Sequence, residues 1–465
     1  MASHIIDMLM TRNVFGTEEM RNVWSEENRT QKHLDVEAAL ALSEAEERLI
    51  PEDAAKVISE KAKVEFLNLE EIAVEVQKVR HALTPTVNAL QNVCGPGYGE
   101  YVHYGVTTQD VIDTGVILQL KEAHQVIVRE LQEVASELAR LAREHRETPM
   151  AGRTHGVQGI PTTFGFKLSV LLNEVIRHLD RLRESEARVF TGVLSGAVGT
   201  FASFGPLGQA VERRSLEMLG LAAPDICWHS SRDRVAEYIS ILGMISATLA
   251  KMGNEFYNLM RTEIDELEEP FTDGKVGSST MPHKRNPSAF ESLASLAKPI
   301  RYNVAMAQES MIVEHERELM AWRGEWILVS ESCIYLSFQL STAKAVLSGL
   351  VVKPTSMEKN LNLMGGLMMS ERVMFALGEP LGKQTAHHVV YEICMKAVEE
   401  GRPFRDVLLE NEQVREAIAI EELEHLLDPM TYLGSAPLIV DQVVEKAEQS
   451  GWLEVKQQSD ETVHN

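Results

Sequence analysis

The chain has 465 residues, more than one hydrophobic core usually organises, and its 44% hydrophobic and 25% charged content is ordinary for a soluble globular protein. A formal net charge of −24 excludes nucleic acid as a partner, because phosphate binding needs a basic face. It leaves room for an anionic small substrate held in a locally positive cleft.

No stretch approaches 18 consecutive apolar residues, so no membrane span is expected. Met1 to Thr11 lacks a basic segment followed by an apolar core and does not read as a signal peptide. Cys94, Cys227, Cys333 and Cys394 are widely spaced with no metal-ligand pattern. They read as four buried, reduced thiols of a cytoplasmic enzyme that needs no metal and no cofactor.

In chain order, residues 1 to about 110 read as an N-terminal domain of shorter helices that ends in the glycine-rich segment Cys94 to Gly105. A central block of long helices is expected over 111–360. From Thr163 to Leu182, the residues Phe164, Leu168, Leu171, Val175, Leu179 and Leu182 recur every three or four positions and make one apolar stripe. Pro161 stands just ahead, where a helix start tolerates it. Arg234 to Met260 and Trp326 to Leu350 are apolar on more than one face, which places them inside a bundle or between subunits. After Asn362, Gly365-Gly366, Gly378 and Gly382 break the chain into the smaller helices of a C-terminal domain over 361–465, with a polar, frayed tail after Leu453. Alternating strand patterns are scarce and no βαβ series appears, so the fold class is all-α.

Two glycine-rich segments carry no phosphate chemistry. Gly95-Pro96-Gly97-Tyr98-Gly99 lacks a preceding strand, and Gly378 to Thr385 lacks the phosphate-loop spacing. Both read as loops.

Four polar clusters stand out from this background: Arg80-His81, His103 to Asp110, Gly152 to Gln158, and Gly277 to Pro287 with Glu291 behind it. A histidine at a helix edge is an ordinary structural residue, and a pair such as Thr107-Thr108 is an ordinary cap. Here each cluster lies at the end of a helical stretch and mixes His with hydroxyls that can bind a carboxylate. The last one, Gly-Ser-Ser-Thr-Met-Pro-His-Lys-Arg-Asn-Pro, joins a soft hydroxyl-bearing run to cationic and amide groups that can grip an anionic oxygen.

The order of those eleven residues resembles the signature loop of the fumarase/aspartase superfamily, whose members cleave C–N or C–O bonds of substituted succinates and usually release fumarate. His103 to Thr114 and Arg153 to Gln158 are similar to its other two blocks. Leu381 to Leu408 resembles the last domain shared by adenylosuccinate lyases and 3-carboxy-cis,cis-muconate cycloisomerases. The resemblance implies a three-domain fold, a homotetramer with a central helical bundle, and active sites built from three subunits. It also implies roles. Ser278, or its neighbour Ser279, is the base; His155 is the general acid and Glu291 its carboxylate partner. Lys284 and Asn286 bind the substrate carboxylate, with Thr107 and Thr108 assisting from another subunit. Arg80, His81, His103, Thr154, Gln158, Arg232, Met281, Arg317 and Trp322 complete the substrate contacts.

Within the superfamily the sequence points two ways. Arg80-His81, His103-Tyr104-Gly105, Gly152 to Gly156 and Ser195 to Thr200 resemble adenylosuccinate lyase. Phe15 to Met20, Trp228 to Arg234 and His315 through Trp326 resemble the bacterial cycloisomerases. Trp322 and Trp326 fall about where nucleotide-phosphate contacts are expected, although Arg317 is kept, which speaks against a nucleotide. His155 stands where cycloisomerases carry Trp, and a general-acid His best serves a basic leaving group. The favoured reading is release of fumarate from an N-substituted aspartate or related substituted succinate. The alternatives are the cycloisomerase, adenylosuccinate lyase and an inactive structural homologue.

Overall fold

The computed structural model of the chain describes residues 3–271 and 280–453. Gly277, Ser278 and Ser279 of the signature loop, and the tail after Leu453, lie outside the described residues. The elements that matter for function are α1 (Glu26–Glu46), α2 (Thr84–Cys94), α3 (Thr108–Glu144), β1 (Pro149–Thr154), β2 (Val157–Thr163), α4 (Phe164–Val189), α5 (Gly208–Met218), α6 (Asp233–Leu259), α7 (Ser288–Glu309) and α8 (Leu319–Gly349). The helices expected near 163–182, 234–260 and 326–350 are therefore present; the first and third run longer than their sequence signals, and the second matches its signal to within one residue at each end.

The chain is mostly helical, as expected, with β1 and β2 forming an antiparallel hairpin and Leu267–Glu268 paired with Val351–Val352. Three expectations are corrected. Pro161 sits inside β2 opposite Ala151, not at a helix start. Gly378 also fails to break the chain: the helix Ser370–Leu381 runs through it and stops at Gly382, whose φ of 84° ends the helix. Of the four free cysteines, Cys94 and Cys333 are buried, while Cys227 and Cys394 are partly exposed. Helix α6 is long and apolar enough to cross a membrane by length and composition alone, but most of it is buried within the protein.

The chain divides into two compact units, 1–131 with 178–249 and 295–341, and 132–177 with 250–294 and 342–465. In the first, His124 of α3 packs its ring against Phe190 and Tyr238, Ser246 of α6 donates to Gln339 of α8 (2.6 Å), and Asn303 of α7 donates to Ser332 of α8 (3.1 Å). In the second, Phe256 of α6 meets Phe164 of α4 at a tilt and Phe290 of α7 edge to face. A separate core gathers Val373, Leu377, Val389, Ile393, Phe404 and Leu408. These buried side chains supply the helical stability that propensity alone does not.

Close packing of α6 on α7 in the second unit rests on one missing side chain. A Cβ on Gly253 would lie 2.7 Å from the Phe290 carbonyl oxygen and 2.8 Å from Leu293 Cβ. Ala is the better helix former by about 1 kcal/mol, but forcing a methyl against backbone costs about 1–3 kcal/mol. Gly253→Ala is therefore expected to lower the thermal midpoint despite its better propensity, which differential scanning calorimetry will read.

Candidate active site

In the first unit, the start of α3 is built around one carboxylate. Asp110 Oδ2 accepts from the backbone N–H of Thr107 (2.9 Å) and of Gly196 (2.9 Å). Its Oδ1 accepts from Ser195 N–H (3.2 Å) and faces His229 Nε2 at 2.8 Å. Asp110 is fully buried, and His229 nearly so. Burial alone would push the His229 pKa down; the hydrogen bonds and charges of Asp110 and Cys227 outweigh it and raise the value to about 9. The result is a buried carboxylate–imidazolium pair.

With Asp110 securing the Thr107 amide, the Thr107 hydroxyl is left to accept from Arg317 Nη1 at 2.7 Å. Thr107, Thr108 and Arg317 thus cluster at the positive end of α3, where an anion is favoured.

His103 stands nearby in the chain with φ 63°, and its Nδ1 lies 2.6 Å from Glu37 Oε1. Burial lowers its pKa, but the charge and hydrogen bond of Glu37, with help from Asp110, raise it overall. One turn or two further along α1, Glu44 is fully buried with neither carboxyl oxygen partnered. Burial and the charge of Glu37 push its pKa up to about 9, so it is a neutral acid at pH 7.

Arg80 closes the helix Leu69–Val79 in a left-handed conformation (φ 56°) and is exposed. His81 Nδ1 accepts from the Thr84 N–H (3.1 Å) at the start of α2, which places the proton of its neutral form on Nε2. Both residues therefore have structural work of their own.

Arg232 and Trp322 belong to a buried ion network. The Arg232 guanidinium, 3% exposed, donates to Asp113 (2.7 and 3.2 Å) and to Glu325 (2.8 Å through Nε). The Trp322 indole N–H donates to Asp113 Oδ1 at 2.7 Å, and its ring meets Trp326 edge to face at 5.0 Å. One guanidinium is thereby shared between two carboxylates, and the expected substrate contacts of Arg232 and Trp322 are already occupied by protein.

In the second unit, His155 and Gly156 form the two-residue tip of the β1–β2 hairpin, with φ of 54° and 79°. Paired positive φ values are the mark of the tight primed turn that matches strand twist, where Asn-Gly is usual and His is tolerated. His155 and Thr154 are exposed. The hairpin is held from below by Arg153, whose guanidinium donates in parallel to the buried Glu266 (2.7 and 3.0 Å). Asn360 donates to the same Glu266 (2.8 Å), and Gln158 Nε2 donates to the Asn360 carbonyl (2.9 Å). Gln158 Oε1 is buried without a partner. This third motif is thus not the end of a helix. Its glycines serve the hairpin: a Cβ on Gly152 would meet the Ile160 carbonyl at 2.8 Å.

Met281, Lys284 and Asn286 are exposed, and Glu291 lies exposed in the first turn of α7. Among the described residues no hydrogen bond or ion pair within the chain joins Glu291 to His155. The sequence motifs include Asp110 and His229 but assign no role to them, nor to Asp113, Glu325 or Glu266. The i, i+3 spacing of Asp110 and Asp113 on one helix face was the available signal for two of them.

Residues 12–301 match the family described as Lyase, and 366–443 the one described as Adenylosuccinate lyase C-terminus. The chain belongs to this lyase family, the fumarase/aspartase superfamily whose reaction releases fumarate. It is 54% identical over 453 residues to the N-acetyl-S-(2-succino)cysteine lyase of Dickeya dadantii (strain 3937), covering 97% of this chain and 100% of that one. Identity to the enzyme of the same name from Enterococcus italicus is 53%, over 97% and 99% of the two chains. The crystal structure of 3-carboxy-cis,cis-muconate lactonizing enzyme from Pseudomonas putida is similar at a TM-score of 0.89 and 35% identity, covering 94% of this chain and 98% of that one.

The buried acids give stability a pH dependence. The Glu44 carboxyl moves from an ordinary 4.5 to about 9 on folding. A neutral acid favoured by the fold means stability present at low pH and lost as pH rises from 4.5 towards 9. His229, raised from 6.5 to about 9, acts in the same direction: its contribution is complete below 6.5 and lost through about 9. The unfolding free energy is expected to fall between pH 7 and 9, by up to about 1.4 kcal/mol per pH unit for each group, and the thermal midpoint to fall with it. Glu44→Gln, which keeps the neutral shape, should make that slope shallower in a pH series of melting curves.

Proposed function

We propose that this chain cleaves the C–S bond of N-acetyl-S-(2-succino)cysteine, or a closely related S-(2-succino) thiol, releasing fumarate and the free thiol. The observation that carries this reading is 54% identity across 97% of the chain to a lyase of that name. Of the substrates that the sequence kept together, the similarity favours a substituted succinate with sulfur as the leaving atom. An N-substituted aspartate remains the second reading, because His155 suits a basic leaving group.

The reaction is a β-elimination. Ser278 takes the proton from the succinyl carbon next to the distal carboxylate, and the electron pair spreads into that carboxylate. The pair then forms the C=C bond as the C–S bond breaks, and the sulfur leaves as a thiolate or, with a proton from His155, as a thiol. Charge builds up on the carboxylate, so Lys284, Asn286, Thr107 and Thr108 have to lie against its oxygens. Arg317, bonded to Thr107, adds a positive charge at the same end of α3. Ser279, Met281, Thr154 and Gln158 would shape the site, with Arg80, His81 and His103 contributing positive or hydrogen-bonding groups. Arg232 and Trp322 would act through Asp113 rather than by touching substrate.

The site is proposed to be shared among subunits of a homotetramer. His155 is exposed at a hairpin tip and Glu291 is exposed on α7. Among the described residues no bond joins them within one chain, which is compatible with their pairing across two copies. On an N-substituted aspartate, where loss of His155 costs most, mixing His155→Gln with Ser278→Ala protein, then dissociating and reassociating the subunits, should give more activity than either variant has alone.

Ultraviolet absorbance of fumarate gives the direct assay. N-acetyl-S-(2-succino)cysteine should turn over and Ser278→Ala should lose on the order of 10³-fold or more. Turnover of adenylosuccinate or 3-carboxymuconate alone would overturn the reading. A thiol, with a pKa near 8.5, leaves at neutral pH with little help, so His155→Gln should cost under about tenfold on the thioether. On an N-substituted aspartate it should cost about 10²–10⁴-fold, the usual worth of a general acid.

A further inference from the structure

Cys227 lies between α5 and α6, two residues before His229, and packs on the Ser195 to Thr200 loop. The approach is tight: a Cβ on Gly199 would come within 2.4 Å of Cys227 Cβ and 2.7 Å of its Sγ. Two polar side chains beside the thiol are more than nine-tenths buried, His229 at 3% and Ser195 at 0% exposure. Neither His229 Nδ1 nor Ser195 Oγ has a conventional hydrogen-bond partner. Both lie close enough to the Cys227 sulfur to favour its anionic form. His229 is meanwhile fixed from its other side by Asp110, 2.8 Å from Nε2. Thiol, imidazole and carboxylate thus stand in series, the arrangement that activates a sulfur nucleophile.

The remaining thiols differ. Burial raises the pKa of Cys94, Cys333 and Cys394. Burial also acts to raise that of Cys227, but hydrogen bonding to His229 and Ser195 and the His229 charge overcome it and lower the value. Cys227 is also partly exposed, so a small reagent can reach it.

We propose that Cys227 is a nucleophilic modification site that adds to the electron-poor double bond of a small unsaturated dicarboxylate, fumarate being the one that the superfamily's reaction releases. In the step, the Cys227 thiolate forms an S–C bond to one alkene carbon. The π pair moves to the neighbouring carbon, which takes the proton of His229 Nδ1. The product is a thioether, nothing leaves, and His229 regains a proton from solvent. The added group carries two carboxylates into a space already closed by Gly199 and faced, through His229, by Asp110. The loop has to shift, and with it the Ser195 and Gly196 amides that Asp110 holds together with Thr107. Loss of activity on modification rests on the role proposed for Thr107; the adduct itself does not.

The test is done on the purified full-length protein without turnover substrate. Limiting N-ethylmaleimide followed by peptide mass spectrometry should label Cys227 at least about tenfold faster than Cys394, the other partly exposed thiol. Prolonged incubation with fumarate should add the mass of one fumarate to the Cys227 peptide. Cys227→Ser should show no adduct there, and its activity should resist both reagents. His229→Gln should slow labelling about tenfold, and Ser195→Ala more mildly; circular dichroism checks each fold. Labelling of Cys394 as fast as Cys227 would sink the proposal. So would fast maleimide labelling of Cys227 with no fumarate adduct, since the proposed ligand class would then be wrong.

Discussion

The carboxylate of Asp110 is the constraint on which the start of α3 and the segments around it depend. It is fully buried, and each of its oxygens has two partners drawn from three separated segments: Thr107, Ser195-Gly196 and His229. A buried charge is tolerated only when it is met this completely. Because the same group secures the first turn of a 37-residue helix, the Thr107 hydroxyl is released from capping and turns to Arg317. Local helix chemistry and the contact of Thr107 with Arg317 at the start of α3 are therefore one arrangement.

A second buried carboxylate plays the matching part in the other unit. Glu266 collects Arg153 and Asn360, and through Asn360 the hairpin strand that bears Gln158. Arg153, which the sequence grouped with the catalytic motif, supports its neighbours from beneath. Arg232 is the same kind of residue, committed to Asp113 and Glu325. In all three places the residues immediately beside the proposed chemical groups are held by charge-assisted bonds rather than left to pack by shape alone.

The helices were legible because their signal is repetitive. The stripe from Phe164 to Leu182 and the all-round apolar runs of α6 and α8 each repeat over many turns, and their bounds came out within a few residues, apart from the ends that carry polar side chains. The hairpin was not legible. Pro149 to Thr163 is short, carries three glycines and two prolines, and has no clean alternation, so its strand character comes from pairing and from the salt bridge beneath it. The motif residues themselves were readable from their order, and His155, Thr107 and Arg317 do stand at element ends. What sequence spacing could not supply was the partnership of Arg232 with two distant acids, or of Asp110 with His229, because those contacts join segments about 120 and 90 residues apart. Ser278 and Ser279 fall outside the described residues, so the proposed base is known from its motif only.

The tip of the hairpin has a consequence for how this chain can vary. Position 155 takes a left-handed backbone, a conformation for which Asn or Gly would be a more comfortable occupant than imidazole. Drift guided by folding alone would therefore move this residue away from His. Under the role proposed for His155, the demands of the turn and of proton transfer diverge at this position. A replacement at the tip would change the proposed acid while leaving the Arg153–Glu266 support beneath it in place.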